Sequence, residues 1–98
     1  MSPLPGGPLE RGLREKLLVR TRDDVRTMRS AAKAREFPVV VRLAHRLAGA
    51  AGALGLDSLS EAAQALQRDG ERGDAPRVRA RLEAVAMELE RAAAPGAH

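Results

Sequence analysis

The chain has 98 residues and a formal net charge of +4, with 44% hydrophobic and 31% charged residues, no Cys, no Trp, no Tyr and a single Phe. A chain this short makes one small domain that removes roughly two thirds of its unfolded surface from water, which argues against a large enzyme with a deep substrate cavity. Without cysteine there is no disulfide, thiolate metal site or redox centre, and without a secretory leader or an apolar run of about 20 residues no membrane span is expected and the protein is expected in the cytoplasm.

The charge is unevenly spread. Residues 11 to 46 carry eleven basic and four acidic side chains, whereas residues 47 to 98 carry six and eight. The positive half is able to steer an acidic partner. Ala and Arg dominate throughout, in the manner of a GC-rich bacterial genome, so the arginine count alone says little about partners.

Residues 1 to 12, rich in Pro and Gly, are expected to form a flexible or frayed leader. From Leu13 to Ala34 there is no Pro or Gly, and Leu17, Thr21, Val25, Met28 and Ala32 recur at helical spacing beside a basic stripe of Arg22, Arg26, Arg29 and Lys33. Pro38 interrupts a smooth continuation, so a corner is expected at residues 35 to 37. A second helix follows over Pro38 to Leu54, with Val40, Leu43, Ala44, Leu47, Ala51 and Leu54 inward and Gly55 as its stop. Asp57 or Ser58 is expected to cap a third, in which Leu59, Ala62, Ala63 and Leu66 face the core and Gly70 ends the run. Asp74 starts a fourth through Val78, Leu82, Val85 and Leu89, and residues 94 to 98 form a flexible tail. Four amphipathic helices with short connections, over residues 13 to 93, make an all-α, antiparallel up-down four-helix bundle.

One residue of the second helix does not belong to the core. At about 100° per residue, His45 falls opposite Leu43, Leu47 and Leu54, on the solvent side, together with Val41, Arg42, Ala48, Gly49 and Gly52. Solvent faces usually carry long polar side chains, yet the positions one and two turns after His45 are Ala48, Gly49 and Gly52. Each helical glycine costs about 0.5–1 kcal/mol relative to alanine, so the bare platform points to close approach of a partner, with tight helix packing as the alternative at Gly52. Metal ligation fails, because the only other histidine is His98. A Ser-His-Asp arrangement fails too, since no carboxylate lies one turn from His45 to orient it. What remains for an exposed imidazole is to act as the nucleophile itself.

The stretch Ala44-His45-Arg46-Leu47-Ala48-Gly49, ending in Leu54-Gly55, resembles the signature of histidine-containing phosphotransfer (HPt) domains, approximately Ala-His-x-Leu-Lys-Gly with a terminal Leu-Gly pair. The resemblance implies a four-helix bundle with the phosphorylatable histidine, His45, exposed on the second long helix. It implies a phosphoryl carrier rather than an autonomous catalyst, exchanging the group with response-regulator receiver domains or a hybrid sensor histidine kinase. No cofactor is expected on this chain, and Mg²⁺ is expected on the partner receiver. Gln67, by ungapped counting, occupies the position from which relatives contact the imidazole. The family's frequent Lys is Ala48 here, and Arg42 or Arg46 could supply the missing charge, with Val41, Ala48, Gly49 and Gly52 as docking surface. A monomer is expected, since one core accounts for the apolar residues. Two other readings stay open: a non-catalytic adaptor of the same fold, and a basic nucleic-acid binder using Arg22 to Lys33, although no aromatic platform supports the second.

Overall fold

The structure, a computed structural model, describes residues 7–94. Within them run four helices, α1 (Pro8–Lys33), α2 (Phe37–Ala53), α3 (Asp57–Glu71) and α4 (Ala75–Ala93), and no strand. Neighbours pack antiparallel in the order α1, α2, α3, α4 and back to α1, and the diagonal pairs stay apart. The expected up-down bundle is what forms. Its core is built from the residues whose spacing announced it, among them Val25, Met28, Val40, Leu43, Ala44, Leu47, Leu59, Ala63, Leu66, Val78, Leu82 and Val85.

All three corners are made alike. Glu36 N–H donates to Ala31 O and Arg35 N–H to Ala32 O; Leu56 and Gly55 repeat the pair on Ala51 and Gly52, and Asp74 and Gly73 repeat it on Asp69 and Gly70. These bonds satisfy carbonyls at the end of each helix, and they require a residue with positive φ just past it. Gly55 (φ 73°) and Gly73 (φ 63°) supply this at low cost, and Arg35 (φ 58°) supplies it despite its Cβ. The residue that closes each corner is at once the N-cap of the next helix, Glu36, Leu56 and Asp74. Only Asp74 caps with its side chain, accepting from Arg77 N–H at 3.1 Å.

Three expectations about the helix ends are corrected. Helix α1 begins at Pro8 rather than Leu13, because Pro8 occupies the first helical turn, where its missing N–H costs nothing, and Glu10 adds a carboxylate there. Residues 8–12 are therefore helix; residues 1–6 of the expected leader and 95–98 of the expected tail lie outside the described residues. Neither Asp57 nor Ser58 caps α3, whose N-cap is Leu56. Gly70 does not end α3, which runs on to Glu71 and is stopped by Gly73. Gly70 instead lets α2 come close, since a Cβ there would stand 3.0 Å from Val41 Cγ2.

Three polar residues, Thr21, Ser60 and Asp69, are buried among the described residues with their needs met. Thr21 Oγ1 donates to Leu17 O at 2.7 Å, and Asp69 accepts from Arg81 Nε at 2.9 Å across the α3–α4 seam. No helix among the described residues is long and apolar enough to cross a membrane.

Candidate functional site

The α2–α3 seam is tight because small residues line it. Ala48 and Gly52 of α2 meet Ser60 of α3, whose Oγ donates to Ala48 O at 2.8 Å, while a Cβ at Gly52 would stand 3.4 Å from that hydroxyl. Gln64 Nε2 donates in turn to Ser60 Oγ at 3.2 Å. One turn further along the antiparallel seam, α3 presents Gln67 to His45.

His45 is exposed, and its Nδ1 lies 3.3 Å from Gln67 Oε1. A carbonyl oxygen only accepts, so this contact is a hydrogen bond in the tautomer that carries its proton on Nδ1, and in that tautomer the Nε2 lone pair is available. The ring is thus oriented by a neutral group from the adjacent helix.

The expected site residues separate into those gathered at His45 and those turned away. Gly49 lies on the open face, where an added Cβ would meet nothing within 4 Å, so no neighbouring helix demands a glycine there. Arg42, one turn before His45 on the same face, is exposed and makes no ion pair among the described residues. Val41 is half-buried against Gly70. Gly52 packs against Ser60, the tight-packing alternative rather than open platform.

Ala48 is buried in the core cluster, not part of the bare surface, because α3 closes over that side of α2. Arg46 turns the other way, its Nη2 donating to both carboxylate oxygens of Asp24 on α1 at 3.1 Å. Asp24 is largely covered, which strengthens the pair and holds Arg46 away from His45. Of the two cations expected near His45, Arg42 is the one without an ion pair among the described residues. Sequence reasoning missed Ser60 and Gln64, though both follow Gln67 back along α3 at helical spacing.

The basic stripe on α1 is mostly neutralised: Arg22 pairs with Glu90, Arg26 with Asp23 and Arg29 with Glu83. It offers little to a phosphate backbone, which is bound through free cations. Among the described residues no three His, Cys, Asp or Glu side chains come together as a metal site.

Comparison with curated proteins gives no match, and neither does comparison with solved structures. The model of the Hpt domain family, whose members carry phosphoryl groups on histidine in phosphorelay signalling, matches residues 12–95. That span takes in nearly the whole of the four-helix bundle, and the chain accordingly belongs to the Hpt domain family.

Proposed function

We propose that His45 carries the phosphoryl group, accepting it from and returning it to receiver-domain aspartates of a bacterial two-component phosphorelay. The observation that supports this most is an exposed imidazole, held at Nδ1 by Gln67, on a helix face left open at Gly49. In the accepting direction the Nε2 lone pair attacks the phosphorus of the receiver's aspartyl phosphate. The new N–P bond forms as the P–O bond to the aspartyl oxygen breaks, and that electron pair leaves with the carboxylate. The proton stays on Nδ1, where Gln67 Oε1 accepts from it while the ring bears positive charge. Such loose transfer depends on alignment and charge compensation more than on covalent chemistry.

Arg42 supplies the positive charge that the family's lysine supplies in relatives, and the Mg²⁺ that assists the transfer belongs to the receiver. Gly49, with the half-buried Val41 one turn before His45, lies on the receiver's side of α2. The partners are receiver domains or a hybrid sensor kinase, the carrier is a monomer, and the reading implies a cytoplasmic location.

A second reading, the non-catalytic adaptor, is favoured by one observation: position 48 holds a buried alanine where relatives hold lysine. Phosphoryl transfer from a panel of phosphorylated receivers, read by intact mass of the acid-labile adduct on wild type and His45→Gln, separates the two. Adduct on wild type alone supports the carrier; receiver binding with no adduct supports the adaptor.

A further inference from the structure

The seam between α1 and α4 lies on the far side of the bundle from the α2–α3 seam that carries His45. Its polar contacts form a ladder, each rung crossing from a cation on α1 to an acceptor on α4. Arg14 donates to Ala92 O at 3.0 Å, Arg22 pairs with Glu90 at 4.0 Å, and Arg29 pairs with Glu83 at 3.1 Å. The antiparallel register that sets Arg22 against Glu90 and Arg29 against Glu83 sets Lys33 against Arg79 at the next rung. That rung holds two cations and no carboxylate, and neither cation has an ion-pair partner among the described residues.

Below this incomplete rung opens a cleft of about 190 Å³, lined by both cations and by the Arg29–Glu83 pair, with Ala32, Ala75 and Leu82 as its apolar floor. Two alanines at the floor leave room that larger side chains fill elsewhere in the seam. The volume is below the roughly 300–1,000 Å³ of small-molecule sites and matches a single large apolar side chain. An apolar hollow beneath two like charges is complementary to an apolar anchor with a carboxylate beside it.

We propose that this cleft docks an acidic amphipathic helix of a partner protein, whose apolar side chain enters the hollow while a neighbouring carboxylate completes the rung between Lys33 and Arg79. Docking there relieves the repulsion between the two cations. It also leaves His45 uncovered, so the bundle can be held from behind while a second protein works on its front. The inference stands on the α1–α4 seam and is independent of phosphotransfer.

The test titrates the ¹⁵N-labelled full chain with the probe peptide acetyl-(Ala-Glu-Leu-Ala)₃-amide and follows backbone amide shifts. Saturable shifts at residues 29–33 and 75–83 are expected, weakened at least tenfold in Arg79→Glu and in Lys33→Glu and absent with a peptide carrying Lys for Glu. Both variants complete the rung internally, so both should melt at a higher temperature than wild type, which separates lost binding from lost folding. The proposal is overturned by the absence of saturable shifts up to millimolar peptide, by shifts centred on His45, or by unchanged affinity in the two variants. A lower melting temperature in both variants also overturns it. So does the same response to hexanoate at equal affinity, which assigns the cleft to a small acid, or concentration-dependent shifts at these residues without peptide, which assign it to a second copy of the chain.

Discussion

His45 is useful because of what its neighbours leave alone. Gln67 holds one ring nitrogen at 3.3 Å and, among the described residues, no hydrogen bond engages the second, so its lone pair is left open to a partner. Replacing Gln67 by Leu removes a single neutral hydrogen bond, worth about 0.5–1.5 kcal/mol. We expect transfer through His45 to slow by about tenfold or less in Gln67→Leu, read as the rate of label loss from a phosphorylated receiver, with the melting temperature little changed. Gly49→Glu should behave oppositely on its two readouts. An exposed helical glycine replaced by glutamate gains about 0.5 kcal/mol of helix propensity, whereas the new side chain blocks the approach to His45, so stability should rise as transfer is lost. Transfer retained in that variant speaks against docking on this face. His45, Gln67 and Gly49 were legible in the sequence, because helical spacing and ungapped counting place residues around one helix and along its partner. Ala48 and Arg46 were not, since a wheel drawn for α2 alone carries no information on where α3 closes over Ala48 or which acid of α1 faces Arg46.

At the level of the elements, the three corners explain how short loops fix an antiparallel arrangement. Each spends its few residues on one pair of backbone bonds and hands the chain directly to the next N-cap. Arg35 is the outlier, holding φ 58° where the other two corners use glycine. Arg35→Gly relieves a left-handed penalty of about 1–2 kcal/mol and incurs part of it again as unfolded-chain entropy, so a net gain of about 0.5–1 kcal/mol is expected from denaturant melts. The α3–α4 seam is more fragile. Asp69 has a side chain only 5% exposed and depends on Arg81, so Arg81→Ala should cost about 1–3 kcal/mol by leaving a covered carboxylate unpaired. An unchanged denaturation midpoint would show the pair to be dispensable. The helices themselves were readable from apolar spacing, but their ends were less so. Gly70 and Gly73 look alike in sequence, and only packing shows that the first accommodates Val41 while the second stops α3.

For the whole molecule, the bundle separates two surfaces. The α2–α3 side carries His45, Gln67 and Arg42, and the α1–α4 side carries two of the four cross-helix ion pairs found among the described residues. This division qualifies what composition suggested, because three arginines of the basic α1 stripe, Arg22, Arg26 and Arg29, are matched by Glu90, Asp23 and Glu83. The pairs with Glu90 and Glu83 were hidden from the sequence, since partners more than fifty residues apart meet only once α4 lies along α1. The fold class was open to reading because nothing but helical periodicity runs through the chain, and the Hpt match over residues 12–95 agrees with it. That His45 carries the phosphoryl group, as proposed, is tested most directly by incubating wild type and His45→Gln with phosphorylated receiver domains and weighing the intact chains. One acid-labile phosphoryl group on wild type and none on His45→Gln is the predicted result. Equal labelling of both proteins would contradict it.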